Sequence, residues 1–446
     1  MNQSDAQKNR KLWFVLGAIV SAGVVTGACQ QLPSTTIKNS DPNSLSQSAA
    51  ADQSSRGLKL GALLPASSNL GSTRRNMLES LPIFMDVVNN CGGVNGVPIS
   101  LAVADDQVTP KDAAAAMAEL IDKDKVTAVV GAFASNASVA ALETAAQHKV
   151  LMISPASTSP LLTERAKQGR AKGFWARTVP SDMNEAAALA KLAKDRGYLN
   201  VATVVVNNEE GIRFEQTFVK AFEKLGGKVL GKAEPVRYDP QSTQLDLEAA
   251  AAFSPEGQKP DAVVAVLSPQ SGDLLLESAY EQGLTEGVQI LLTNAVQSEQ
   301  FIKDVGRRVN GKFILLGAIG TAFSANGPAF SDFTKLWQEK TDSVPDAFVP
   351  PTWDAASLIV LAAQAATSNQ GEQIKAKLRD VANPPGQTVT DVCQGLKLLR
   401  EGKEINYEGA SGKVDIDKNG DVLGNYDVWT VDEQGKIRTI DLLTLE

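Results

Sequence analysis

Strand-like apolar runs alternate with helix-period segments along most of this chain, and that alternation restricts its fold more than any single residue does. LKLGALLP (58–65) is an apolar run, and STRRNMLESLPIFMDVVNN (72–90) has apolar residues at Leu78, Leu81, Met85 and Val88, close to helical spacing, before Gly92 and Gly93 end it. The order then repeats: PISLAVADD, the helix KDAAAAMAELIDKDK, the strand TAVVGAF, the helix ASVAALETAAQ and the strand KVLMIS. A second round starts at NVATVVVN (200–207). It runs through the helix GIRFEQTFVKAFEKLGG, the strand KVLGKAEPVRY, the helix STQLDLEAAAAF, the strand DAVVAVLS, the helix SGDLLLESAYEQG and the strand VQILLTN. Strands separated by helices predict parallel sheets covered on both faces. Two such α/β lobes follow one another, near 58–177 and 178–317. GKFILLGAIG, the helices DFTKLWQEKT and WDAASLIVLAAQAA, and a Tyr/Gly-rich strand-like end, INYEGASGKVDIDKNGDVLGNYDVWTV, complete the chain.

Two clusters of small hydroxyl and alanine residues stand directly after strands: FASNAS (133–138) after TAVVGAF, and SPASTSP (154–160) after KVLMIS. At the carboxyl end of a parallel strand, small residues let a guest approach the backbone. A helix starting there offers free N–H groups and the positive end of its dipole. The pattern suits a small ligand with an anionic group. The competing reading makes Ser135 and Ser157 ordinary helix caps or turn residues.

The 446 residues predict two domains or more, and the net charge of −8 with scattered basic residues gives no nucleic-acid surface. Lys8, Arg10 and Lys11 precede the apolar run LWFVLGAIVSAGVV, too short for a comfortable transmembrane helix, and TGAC follows, ending at Cys29. Residues 1–28 therefore read as a signal peptide. Residues 29–56, rich in Ser, Gln and Asn, read as a flexible tether with a reach of roughly 30 Å. If Cys29 carries a lipid, Cys91 and Cys393 remain in an oxidising setting and can pair; two buried free thiols, or a pair too distant to bridge, are the alternatives.

GALLP, NNCGGVNGVPISLAVADDQ, VVGAFASNAS, VLMISPASTSPLLT, FWARTVPSD, PPTWDAASL and INYEGASGKVDID, in that order, resemble the branched-chain amino-acid-binding branch of the type I periplasmic binding proteins, the soluble receptors of ABC importers. The resemblance covers the chain from Leu58 almost to its end. The segment ending at Cys29 resembles a bacterial lipoprotein signal, with Thr26 where a Leu-like residue is usual. The resemblance implies two Rossmann-like lobes joined by three crossovers, with 58–177 plus 318–403 in the first and 178–317 plus 404–446 in the second. That places Cys91 and Cys393 in one lobe, which favours their disulfide.

By the same resemblance, Ser135 and the helix N-terminus beside it, with Ala134, receive a ligand carboxylate. The carbonyl of Ala156 and the hydroxyl of Thr158, with Ser157 between them, receive the ammonium. Trp353 opens a helix that can face the cleft. Leu70 stands where the family often has an aromatic residue, Glu210 where it has a tyrosine before Gly211, and Asn294 near its usual acidic residue. A carboxylate at Glu210 favours neutral or basic amino acids over acidic ones; the bland alternative is a solvated helix-start glutamate.

Other motifs carry less. DIDKNGD has Tyr426 at the twelfth position of an EF-hand loop and reads as a turn, and EGASGK is too short for a phosphate loop. His148 is the only histidine, which leaves no histidine triad or multi-histidine metal site. The expectation is a non-enzymatic, lipid-anchored extracytoplasmic receptor without metal or cofactor. It binds an amino acid, or alternatively another small solute such as an amide. Its partner is an ABC permease, or a membrane signalling protein in a sensory version of the same fold.

Overall fold

The computed structural model describes residues 57–66 and 72–445. The expected signal peptide, Cys29, the tether and Leu70 lie outside the described residues.

The first sheet has five parallel strands, β1 (Lys59–Leu63), β2 (Ser100–Ala104), β3 (Ala128–Gly131), β4 (Leu151–Ser154) and β5 (Trp175–Arg177), in the order β2-β1-β3-β4-β5. Its central strands are apolar and buried on both faces, as β3 and β4 show along their whole length. Helices α1 (Ser72–Asn90), α2 (Pro110–Asp122), α3 (Ser135–Gln147) and α4 (Pro160–Lys167) connect them. The strand order reverses beside β1, so the crevice beyond the ends of β1 and β3 is the place where such a sheet binds a guest.

The second sheet is built on α5 (Asp182–Asp195), β6 (Asn200–Val206), α6 (Glu209–Lys224), β7 (Lys228–Val229), β8 (Val236–Tyr238), α7 (Asp246–Phe253), β9 (Ala262–Val266), α8 (Gly272–Glu281), β10 (Gln289–Leu292), α9 (Glu299–Val305) and β11 (Ile319–Ser324). Its order runs β7-β6-β9-β10-β11, and the reversal beside β6 puts a second crevice at the start of α6. KVLGKAEPVRY, expected as one strand, is two short pieces that both pair with β6. The expected lobe boundary at 318 is also corrected. Ile319–Ser324 pairs with β10, so the chain leaves the second sheet after Ser324.

It then returns to the first lobe as α10 (Phe330–Thr341), α11 (Val349–Ala366), α12 (Gly371–Ala382), β12 (Gln387–Val389), α13 (Val392–Arg400) and β13 (Ile405–Tyr407). Helix α11 is apolar nearly all round, and its residues from Val349 to Gln364 are buried, as a core helix demands. The segment after 403 does not pass at once to the second lobe: Tyr407, Ala410, Val414, Ile416 and Val422 belong to the first lobe's core. Only β14 (Asn425–Val431) and β15 (Ile437–Thr444) join the second sheet, both antiparallel to their neighbours.

Three crossovers, near 178–181, 325–328 and 423–424, therefore join the lobes, and they are tied together. The Thr178 hydroxyl donates to Pro351 O at 2.8 Å, Asn184 Nδ2 to Val422 O at 3.1 Å, and Gly327 N to Ala410 O at 2.9 Å. Asp354, buried inside α11, accepts from Tyr407 Oη, Ala410 N, Ser411 N and Ser411 Oγ at 2.5–2.9 Å. A Cβ on Gly409 would lie 2.3 Å from that carboxyl group, which is why the YEGASG turn begins with glycine. Cys91 and Cys393 are disulfide-bonded with Cα atoms 5.7 Å apart, linking the end of α1 to the start of α13.

Candidate functional site

The two strand-end clusters of the first lobe interlock through their hydroxyls. Ser154 Oγ donates to Ala132 O at 2.7 Å, Ser138 Oγ and Ser157 Oγ share a bond of 2.7 Å, and Ser157 Oγ also reaches Phe133 O at 3.2 Å. Ser157 is fully buried in this network, so its expected place at the ligand is corrected: it holds the two turns in register. Trp353 is corrected likewise. It is 7 % exposed and packs between Phe84 and Phe333, with ring centroids at 5.0 and 5.3 Å.

Ser135, Ala156 and Thr158 stay half-buried, with open faces. Helix α3 has Ala134 as its N-cap and no side-chain cap, so Ser135 is the first helical residue and not a cap. Its Oγ accepts from Ser159 N at 3.2 Å, which leaves the hydroxyl proton to be donated elsewhere. The cap of α4 is Ser159.

Arg177, at the end of β5, is fully buried and organises the second turn. Its guanidinium donates to Ser157 O and Ser159 O at 3.1 Å each, to Thr163 Oγ1 at 2.6 Å, and pairs with Asp421 at 2.6 Å. The DIDKNGD stretch thus forms a tight turn, with Asp417 Oδ1 accepting from Asn419 N and Asp421 N, that delivers Asp421 to Arg177.

On the second lobe, Glu210 is exposed at the start of α6. It lines a cavity of about 220 Å³ with Asn208, Glu209 and Arg213 on one side and Ser159 and Leu161 of the first lobe on the other. Arg213 spans the mouth, bonded to Glu209 at 2.8 Å and to Glu164 of the first lobe at 2.5 Å. A larger cavity, about 970 Å³, opens beside the crossovers near Asn326, Arg379 and Lys413, but no residue of the two strand-end clusters lines it. Asn294 contributes its backbone, not its exposed side chain, donating to Glu185 at 2.9 Å.

Two carboxyl groups that the sequence reading leaves out complete the site. Asp182 and Glu185 stand one turn apart at the start of α5. Asp182 N donates to Thr158 O at 3.0 Å, which sets the Asp182 carboxyl group beside the Thr158 side chain. Burial and then the charge of Glu210 push Asp182 up to about 6, against Thr158 and Arg177. Glu185 is 2 % exposed, with Oε1 accepting from Asn294 N and from Thr321 Oγ1 at 3.0 Å. Burial and then Asp182 push it up to about 8. The readable signal was PSD two residues after the strand FWAR.

These raised values make a prediction for the free protein. The folded state binds protons more tightly than the unfolded chain, so this contribution to stability is whole below the ordinary carboxyl range and is lost as pH rises through about 8. Melting temperature is expected to fall between about pH 6 and pH 8, and Glu185→Gln to flatten that fall. An unchanged slope in the variant rejects the assignment.

Two α/β lobes, joined by three tied crossovers and meeting where the 154–160 turn and the start of α6 line one cavity, define a two-lobed solute-binding protein of the type I periplasmic class. The chain belongs to the family described as the receptor family ligand binding region, which matches residues 76–434. It is 27 % identical over 393 residues to BasB, the substrate-binding protein of the chemotactic signal transduction system of Halobacterium salinarum, covering 86 % of this chain and 89 % of that one. Among solved structures it resembles a leucine-binding protein of Thermotoga maritima, with a TM-score of 0.64, 25 % identity, and coverage of 87 % of this chain and 99 % of that one. A solute-binding protein of Rhodopseudomonas palustris in complex with 3,4-dihydroxybenzoic acid shares the fold at a TM-score of 0.60 and 18 % identity, over 88 % of this chain and 98 % of that one.

Proposed function

We propose that the chain is an extracytoplasmic receptor that captures an α-amino acid between its lobes without transforming it. One observation carries this reading. Ser135 Oγ accepts from Ser159 N, and Asp182 N donates to Thr158 O, so a residue whose hydroxyl suits an anion and one whose carboxylate suits a cation both meet successive residues of one turn.

The carboxylate goes to the Ser135 hydroxyl and the uncapped N-terminus of α3. The ammonium goes to Asp182, with the Ala156 carbonyl and the Thr158 hydroxyl beside it. Asp182 supplies, from another element, the negative charge that the side chain of Asn294 does not provide. With Glu210 also at the cleft and Arg213 already paired to two glutamates, neutral and basic amino acids are preferred over glutamate and aspartate.

Closure about the crossovers then presents the ligand-bound shape to a membrane partner. An ABC permease is the first partner, through a receptor anchored by lipid at Cys29. Likeness to BasB supports a signalling partner as the second. Labelled amino-acid uptake and swimming bias, each measured with and without the receptor, separate the two.

Calorimetry with leucine, lysine, glutamate and an aromatic acid tests the ligand class. Ser135→Ala is expected to weaken amino-acid binding roughly tenfold or more, since a bond to a charged group contributes about 1.5–3 kcal/mol. It also orphans Ser159 N, so a fall in stability of about 1 kcal/mol accompanies it. Loss of stability with intact affinity makes Ser135 a structural residue only. Binding of the aromatic acid with none of the amino acids sinks the ligand class.

A further inference from the structure

We infer that capture of an amine in the cleft expels a proton from the Asp182–Glu185 carboxyl pair, so that the receptor holds its ligand more tightly as pH rises. This rests on the placement of the ligand ammonium at Asp182.

The geometry is that of two acids on one face of a helix, three residues apart, with one toward the cleft and one behind it. The groups facing them are few. From α5 come the two acids themselves. The end of β10 gives Asn294 N, and β11 gives Thr321, both bonded to a single oxygen of Glu185. From the 154–160 turn comes Thr158, and from α6 the carboxylate of Glu210. From β14 comes Tyr426, and from β5 comes Arg177. Arg177 is the one cation among them, and Asp421 with two backbone carbonyls already occupies it.

Tyr426 is an independent sign that this cluster awaits something. It is 1 % exposed, its hydroxyl has no hydrogen-bond partner among the described residues, and the charges that act on it most are Glu185 and then Asp182. Thr293 Oγ1, adjoining the Asn294 amide, is also buried and unpartnered. Buried polar atoms are nearly always satisfied, so a buried hydroxyl left without a partner under the charge of both carboxyl groups points to a ligand or to water ordered by one.

Two neighbouring carboxylates, Glu185 buried and Asp182 half-buried, without a free cation share a proton. With Asp182 near 6 and Glu185 near 8, the pair carries about one proton at neutral pH. An arriving ammonium supplies the missing positive charge. The O–H bond of Glu185 then breaks, its electron pair stays on the carboxylate, the proton passes to the buffer, and the ammonium remains intact. Binding and proton release are one linked equilibrium. Affinity therefore rises by at most about tenfold per pH unit while Glu185 is protonated, and levels off above its titration.

The test is calorimetry of leucine and lysine on the full chain at neutral pH, in phosphate and in Tris, whose ionisation heats differ widely. The expected result is release of up to one proton per ligand and affinity that climbs between about pH 6 and pH 8. In Glu185→Gln, which keeps an oxygen for Asn294 and Thr321, proton release is lost and the affinity profile becomes flat. Should that variant fail to fold, the native protein in the two buffers decides alone. Binding with equal heats in both buffers, or with proton uptake, overturns this inference and leaves the ligand reading standing. Absence of binding by every amino acid overturns both.

Discussion

Replacement of Arg177 by methionine is expected to lower the unfolding free energy by roughly 3–5 kcal/mol, the cost of leaving a buried ion unpaired. Four groups lose their donor together: Asp421, Thr163, and the carbonyls of Ser157 and Ser159. Methionine replaces much of the volume, so little of the effect comes from a cavity. Asp421 is 14 % exposed and water does not readily take over from the guanidinium. Arg177→Lys keeps the charge but has no planar fork to reach acceptors on three segments, and it restores only part of the loss. The double variant Arg177→Met with Asp421→Leu recovers more than the lysine does, because no charge remains without a partner. Urea unfolding of the three variants measures this, with midpoints compared at constant slope. A loss below about 1 kcal/mol for Arg177→Met, the range of an exposed pair, means that the pair is solvated and that the SPASTSP turn is held by its serines alone.

The lobes were legible because parallel strands buried on both faces read as unbroken apolar runs, and TAVVGAF and KVLMIS have no other comfortable place. The boundary between the lobes was not. Ile319–Ser324 and the 404–422 segment are apolar enough for either core, and the choice is made by pairing with β10 and by contacts to α11, which local pattern does not contain. Helices α12 and α13 likewise carry charged faces and short apolar stripes that gave no reading of their own.

For the candidate site the division is similar. Crowding at strand ends pointed to Ser135, Ala156 and Thr158, which stand half-buried on the two strand-end turns. Ser157 and Trp353 were misplaced because a hydroxyl in a turn, or an aromatic at a helix start, looks the same whether it faces a cleft or a core. Asp182 and Glu185 look like ordinary acids at a helix N-terminus. Their meaning comes from Asn294, Thr321 and Tyr426, more than a hundred residues away in the chain and adjacent only after the second lobe has formed.

Asp182→Asn is expected to weaken amino-acid binding by about 2–5 kcal/mol, a loss of roughly thirtyfold to several thousandfold. The substitution keeps the size of the side chain and one oxygen acceptor beside Thr158. It removes the one charge that the ammonium meets at close range in a desolvated place. The free protein does not suffer in the same way. Burial opposes ionisation of Asp182, so a neutral residue there leaves the melting temperature at neutral pH unchanged or higher. Relieved of Asp182's charge, Glu185 titrates lower, so the fall of stability with pH is smaller and ends at a lower pH. These opposite signs, weaker binding with an equal or more stable apo-protein, separate a ligand contact from a structural acid. Glu210→Gln is the comparison. Glu210 is exposed, so its charge is screened by salt, and its removal produces a smaller loss that shrinks further at high ionic strength. If Asp182→Asn changes affinity by less than about threefold while Glu210→Gln abolishes binding, a pattern that screening of an exposed charge does not permit, the ammonium sits at the mouth of the second lobe and not against α5.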